Sequence, residues 1–279
     1  CARRVNPQGC PADIPLNCPP GCPMCRLLAY LGDPIQLDQL VCLPQHSLLR
    51  QALNAVEAKV STNGDGFGIG WYAEREEPGV YREVMPAWSD ENLLSLCATL
   101  RSHLFFAHVR AATGTPVARQ NCHPFRHGRW MFMHNGQIGG YARVRRTLES
   151  RLSDAFYAAR RGATDSELLF LLALARIEAG ETPDQAVPTV LDDTLALMKR
   201  AGVAEPLRFA AALSDGEQVW AFRYSSDNRP PTLYIGESGN GRIVASEPLD
   251  GRASGTRNWQ AVPPDSWVHL CREGATIRA

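Results

Sequence analysis

The order of segments in the sequence predicts an α+β protein in which two antiparallel sheets are layered with helices in one domain. Strand-like stretches fall in two batches around a helical middle, an order that suits stacked sheets better than alternating βαβ units. Hydrophobic residues are 44% and charged residues 21% of 279, the balance of a folded globular chain long enough to bury a substantial core. Composition breaks once, near residue 24, and no repeat or linker interrupts residues 25–279.

The elements follow in order. Leu27 to Leu31 is apolar and precedes Gly32-Asp33-Pro34, which predicts a strand ending in a turn. Pro44 to Ala58 reads as a short helix, and Asn63-Gly64-Asp65-Gly66 as a loop. Phe67 to Tyr72 reads as a strand whose glycines predict the close approach of another backbone. Tyr81 to Met85 is a second short strand. Ser89 is placed to cap a helix from Asp90 to Arg101, with Leu93, Leu94, Cys97 and Leu100 on one face. Leu104 to Arg110 and Trp130 to His134 read as strands, and beyond Asn135-Gly136 the pattern turns helical. Thr164-Asp165-Ser166-Glu167 fits a capping box before the apolar run Leu168 to Ala175. That run is far shorter than the roughly 20 residues of a membrane span. A further helix spans Asp184 to Arg200, with Pro188 an irregularity. Strands return at Phe209 to Leu213 and Gln218 to Tyr224, around the hairpin signal Asp215-Gly216. Thr232 to Ile235, Gly241 to Ser246, Ser266 to Leu270 and Ala275 to Arg278 complete the set.

Charge narrows the partners. Lys+Arg and Asp+Glu are both 29, which argues against nucleic acid or an anionic membrane as the main partner. The nine cysteines are an odd number, so one chain cannot pair them all. Cys42, Cys97, Cys122 and Cys271 are scattered as reduced core cysteines are, which reads as a cytoplasmic protein. Residues 1–24 are rich in Pro, Gly and Cys, offer little to pack and lack the apolar stretch of a secretory signal. They read as a leader that is removed, or as an extension upstream of a true start at Met24. The spacing Cys18, Cys22, Cys25 is also compatible with a metal or iron–sulfur cluster.

Four stretches can carry chemistry. Cys25 follows a plausible start methionine. If Met24 leaves, Cys25 has both a thiol and an α-amine, and an amine with a pKa of about 7.7–8 can serve as base for its own side chain. A buried structural cysteine is the alternative. Asn135-Gly136 can supply a side-chain amide and a backbone N–H to an oxyanion, or simply form a turn. Arg110 at a strand end can clamp a carboxylate, or form a surface ion pair. Asp165 in a first helical turn can hold an ammonium, or only complement the helix dipole.

Together these stretches resemble the class II glutamine amidotransferases, a branch of the N-terminal nucleophile hydrolases. The resemblance is carried by Met24-Cys25-Arg26-Leu27-Leu28-Ala29-Tyr30-Leu31-Gly32, by the segment from Asn63 to Tyr72, and by Ala107-His108-Val109-Arg110-Ala111-Ala112-Thr113. Asn121-Cys122-His123-Pro124-Phe125, His134-Asn135-Gly136, Thr164-Asp165-Ser166-Glu167 and the late Ala245-Ser246-Glu247-Pro248-Leu249 extend it. It covers nearly all of residues 25–279. More narrowly, the chain is similar to stand-alone γ-glutamyl hydrolases of the ergothioneine pathway.

The resemblance implies a four-layer αββα sandwich. It implies Cys25 as nucleophile, with Asn135 and the Gly136 N–H as oxyanion hole. Arg110, helped by Thr113, would hold the substrate α-carboxylate, and Asp165 its α-ammonium. It implies no metal and no cofactor. The substrate would be a small γ-glutamyl compound, hydrolysed through a glutamyl thioester, such as a γ-glutamyl-cysteine conjugate bearing a trimethylammonium. Trp71, Tyr72, Tyr81 and Trp88 are candidates to face such a cation, or core residues. A glutaminase passing ammonia to a synthase partner is the alternative, and self-association is open. Cys25 is internal in this sequence, so the mechanism requires the Met24–Cys25 bond to be open.

Two rivals differ in kind. Five histidines lie between residues 103 and 134, which raises a zinc hydrolase, yet no H-E-x-x-H spacing is present. The leader also admits an inactive, redox- or metal-responsive binding protein on the same fold.

Overall fold

The structure, a computed structural model, describes residues 25–53, 63–112, 115–250 and 257–278. The expected leader, Thr113, and the end of the helix expected over Pro44 to Ala58 lie outside the described residues. The strands are β1 (Arg26–Gln36), β2 (Phe67–Trp71), β3 (Gly79–Glu83), β4 (Arg101–Val109), β5 (Phe125–His127) and β6 (Trp130–Ile138). They continue with β7 (Leu207–Ser214), β8 (Val219–Ser225), β9 (Tyr234–Ser238), β10 (Gly241–Ala245), β11 (Gln260–Ala261), β12 (Ser266–Cys271) and β13 (Gly274–Arg278). The helices are α1 (Asp38–Val41), α2 (Leu48–Leu53), α3 (Glu91–Thr99), α4 (Tyr141–Glu149), α5 (Asp154–Ala159), α6 (Asp165–Glu178) and α7 (Pro183–Arg200).

Among the described residues the strands form two antiparallel sheets, ordered β11-β9-β10-β1-β4-β2-β3 and β13-β12-β8-β7-β6-β5. Side-chain alternation stacks them. Along β1, Leu27, Ala29 and Leu31 enter a core shared with Met131, Met133, Ala212 and Ala221 of the other sheet. Leu28 and Tyr30 point the other way, to a core closed by Leu37, Leu40, Leu48 and Leu93 around α1 to α3. On the second sheet Phe132, Phe209 and Phe222 face Leu168, Leu171, Val190 and Leu197 of α6 and α7. The result is the αββα sandwich. Each fully buried leucine contributes about 1.5–3 kcal/mol of transfer free energy.

Several local expectations are corrected. Gly32-Asp33-Pro34 does not end β1. The strand absorbs it as an irregularity between Leu31 and Ile35, with Tyr30 Oη donating to Asp33 O at 2.7 Å. The cap of α3 is Asp90, which accepts from Leu93 N at 2.8 Å, and not Ser89. The helix expected from Pro44 begins at Leu48, and α1 precedes it. At α6, Thr164 caps by accepting from Glu167 N at 3.1 Å, but the Glu167 carboxylate takes Arg161 N and Gly162 N, so the reciprocal half of the box is missing. β5 and β11 are too short to carry an alternation signal. The glycines of β2 do admit a neighbour: a Cβ on Gly68 would meet His123 O at 2.1 Å, and one on Gly70 would meet Met131 Sδ at 2.3 Å.

Candidate active site

Cys25 immediately precedes β1. Arg26 pairs with Val109 across β1 and β4, so Cys25 meets the chain just after β4. The half-buried thiol sits against the Ala111 peptide: Ala111 N donates to Sγ at 3.4 Å, and Sγ donates to Ala111 O at 3.5 Å. Burial pushes the thiol above its ordinary value, while the Ala111 hydrogen bond, Arg110 and Arg26 draw it down. Asp165 adds a smaller push upward, so its charge reaches this thiol.

The backbone around Cys25 is held from the far end of β10. Leu27 N donates to Ser246 Oγ at 3.0 Å, and Ser246 N donates to Leu27 O at 3.0 Å. Arg26 is fully buried: its Nε donates to Glu247 Oε1 at 2.7 Å and its NH1 to Cys25 O at 2.9 Å. His46 Nε2 lies 2.6 Å from the other Glu247 oxygen.

The second sheet supplies the opposing wall. His108 Nε2, near the end of β4, lies 3.3 Å from His134 O on β6 and so ties the two sheets at this end. His134 Nδ1 lies 2.9 Å from Ser166 Oγ at the start of α6. Asn135-Gly136 is not a turn. β6 runs through it, with Asn135 opposite Ala210 and Gly136 opposite Phe209. Asn135 is buried, and its Nδ2 has no hydrogen-bond partner among the described residues. Gly136 has φ 150°, and a Cβ there would meet Arg208 O at 2.0 Å, so only glycine fits.

Arg110 is 3% exposed. Its NH2 donates to Thr115 Oγ1 at 2.7 Å and Pro116 O at 3.4 Å, and its NH1 to Asp65 O at 3.3 Å. Asp65 Oδ2 in turn accepts from Ala112 N at 2.8 Å. Asp165 is half-buried; its Oδ2 accepts from Ile138 N at 2.8 Å and its Oδ1 from Ser166 N at 2.8 Å. The first turn of α6 is thereby tied to β6 just past Gly136.

Cys25, Arg110, Asn135, Gly136 and Asp165 thus gather around the ends of β1, β4 and β6. The arrangement offers a thiol, an unpartnered amide donor, a cation and an anion. It suits attack on a carbonyl whose substrate carries both a carboxylate and an ammonium. Of the five clustered histidines, His103 bonds Gly216 O and His127 packs on Phe156, away from the others. His108, His123 and His134 are buried, and burial lowers all three below the ordinary histidine value, His108 to about 3. They are neutral near pH 7. Among the described residues no group of three His, Cys, Asp or Glu side chains converges as a metal site does. Tyr72 lies between the sheets, and Trp71, Tyr81 and Trp88 pack on the core beneath α1 to α3, so none forms an aromatic cage.

Sequence reasoning missed Asp65, Thr115, His46 and the buried Arg26–Glu247 pair. The signal for Thr115 is its place five residues past Arg110, and for Glu247 a charge ending an apolar strand.

The comparisons agree with one another. A model of the family described as Glutamine amidotransferases class-II matches residues 24–235. A Saccharomyces cerevisiae protein named "Probable glutamine amidotransferase DUG3" is 30% identical over 297 residues, covering 90% of this chain and 82% of its own length. The "Gamma-glutamyl-hercynylcysteine sulfoxide hydrolase" of Mycobacterium tuberculosis is 28% identical over 260 residues, covering 92% and 97%. A class-II glutamine aminotransferase domain protein from Silicibacter pomeroyi superposes with TM-score 0.70 at 36% identity, covering 91% of this chain and 98% of that one. A phosphoribosylpyrophosphate amidotransferase from B. subtilis superposes with TM-score 0.61 at 17% identity, over 91% of this chain and 48% of its own, which speaks to fold alone.

Proposed function

This chain belongs to the class II glutamine amidotransferases and is an amide hydrolase of that family, and from that premise we propose that it frees glutamate from a γ-glutamyl amide, with Cys25 as nucleophile. The reading is supported by the electrostatic influence of Arg110 and Asp165 on the Cys25 thiol, together with the unpartnered Asn135 amide on β6, which is tied to the end of β4 through His108.

In this reading the Cys25 α-amine, freed by opening the Met24–Cys25 bond, takes the thiol proton as sulfur attacks the γ-carbonyl. Asn135 Nδ2 and the Gly136 N–H receive the oxyanion; one such donor is worth about 2.7–4 kcal/mol in the transition state. The leaving amine departs with the proton. Water then attacks the thioester, frees glutamate and restores the thiol. Arg110 holds the α-carboxylate, with Thr115 and Asp65 fixing its guanidinium, and Asp165 holds the α-ammonium. A contribution from Thr113 remains part of the proposal.

The finer substrate is a γ-glutamyl-cysteine conjugate of the ergothioneine route, supported by likeness to the mycobacterial hydrolase over nearly the whole of both chains. A second reading, glutaminase activity that supplies ammonia to a separate synthase, is favoured by the yeast relative's name. Timed glutamate release from glutamine and from γ-glutamyl-cysteine thioethers tests both. A higher kcat/KM on the conjugate supports the first reading, and a higher value on glutamine the second. No glutamate from either contradicts the proposal.

A further inference from the structure

Arg110 and Asp165 come from segments far apart in sequence, and one side chain joins them. Asn121 is 2% exposed at the end of a short 3-10 turn. Its Nδ2 donates to Pro116 O at 2.9 Å, the same carbonyl that accepts from Arg110 NH2 at 3.4 Å. Its Oδ1 accepts from Ala163 N at 2.9 Å, two residues before Asp165. The turn bearing Ala163 is closed from its other side by Glu167, which accepts Arg161 N at 3.0 Å and Gly162 N at 2.6 Å. Gly162 lies against this joint: a Cβ there would meet Asn121 Oδ1 at 2.5 Å and Glu167 Oε2 at 3.0 Å.

We propose that Asn121 is a positioning residue that sets the separation between Arg110 and Asp165, and thereby how strictly the site demands both an α-carboxylate and an α-ammonium. This rests on the γ-glutamyl reading above. A buried amide that only satisfied its own loop would have no need of a partner 42 positions away. Here each end of the amide serves a backbone group of a different wall. Two ionic contacts can be made at once only if their spacing matches the amino acid headgroup. Each hydrogen bond to a charged group is worth roughly 10- to 100-fold in affinity. A slack spacing forfeits part of both without touching Cys25.

Three anilide probes test this on the full chain, with variants compared in the N-terminal form that carries wild-type activity. γ-Glutamyl-p-nitroanilide has the whole headgroup, glutaryl-p-nitroanilide lacks the ammonium, and γ-aminobutyryl-p-nitroanilide lacks the carboxylate. The wild type should prefer the first over each of the others by at least about 10-fold in kcat/KM. In Asn121→Ala both preferences should shrink by about 10-fold, with KM for the γ-glutamyl probe rising more than kcat falls. These ratios do not depend on the folded fraction, so a merely structural loss leaves them unchanged. Gly162→Ala, which drives a methyl group into the same joint, should shrink them too, as should the isosteric Asn121→Asp, which keeps the acceptor and loses the donor. Unchanged preferences in the folded variants, or a wild type that cleaves all three probes equally, overturn the inference. A wild type inert toward the γ-glutamyl probe overturns the functional reading and the inference with it.

Discussion

Among the described residues the Cys25 sulfur bonds the Ala111 peptide and no charged side chain, and the nearby guanidiniums only offset part of its burial. In the proposed reaction the thiolate would therefore form during attack, with the α-amine as base. Cys25→Ala should reduce glutamate release to background while circular dichroism and melting stay near wild type. Full activity in that variant would remove the mechanism. Arg110→Lys should raise KM about 10- to 100-fold with a smaller change in kcat, because an ammonium cannot reach Thr115 and a substrate carboxylate in the same planar fork. A kcat-only defect would place Arg110 outside substrate binding. At this scale residue type and spacing were enough to nominate Cys25, Arg110, Asn135-Gly136 and Asp165 as candidates. The sequence was not legible at Asp65 or Asn121, whose side chains bond backbone groups that only the fold brings near, nor at Thr115, whose hydroxyl accepts from Arg110 through a loop geometry that spacing alone does not give.

β6 and α6 are the elements that carry the candidate residues Asn135, Gly136 and Asp165. Asn-Gly signals a turn in isolation, yet pairing with β7 from Met131 to Ile138 overrides it and leaves Gly136 inside a strand at φ 150°. Gly136→Ala should therefore disrupt β6 as well as the proposed oxyanion donor, lowering the urea midpoint along with activity. Unchanged stability would mean the strand yields without cost. The helix α6 was readable from Thr164 and the apolar run that follows, and its cap held; the Glu167 half of the box failed because two other N–H groups compete for that carboxylate. β1 passes through Gly32-Asp33-Pro34 because its outer half still pairs with β4, at Ile35 with Ser102 and Gln36 with Arg101. Local turn propensity lost in both places to long-range pairing, which a single sequence does not display.

At the scale of the whole molecule, two sheets layered with helices were foreseeable from the order of strand batches and helices, and the four-layer arrangement from the family resemblance, while strand order was not. The sheets meet at the site end through buried neutral histidines, which makes stability depend on pH. His108 titrates near 3 in the fold and near 6.5 when unfolded, and His123 and His134 are lowered as well. Below about pH 6.5 the unfolded chain binds protons that the fold refuses, so stability is complete above that pH and is lost as pH falls toward about 3. Melting temperature followed from pH 8 to pH 4 should fall progressively below about 6.5; a flat profile would contradict neutral burial of these rings. No helix among the described residues is long and apolar enough to cross a membrane. In the proposed mechanism the sulfur of Cys25, beside a free α-amine, takes the glutamyl group. This transfer is tested most directly by acid-quenching the natively expressed protein during turnover of a γ-glutamyl substrate and locating the adduct by peptide mass spectrometry. One glutamyl group on a peptide that begins at Cys25 is the expected result. Turnover with no adduct there, or by chains whose Met24–Cys25 bond is intact, would contradict it.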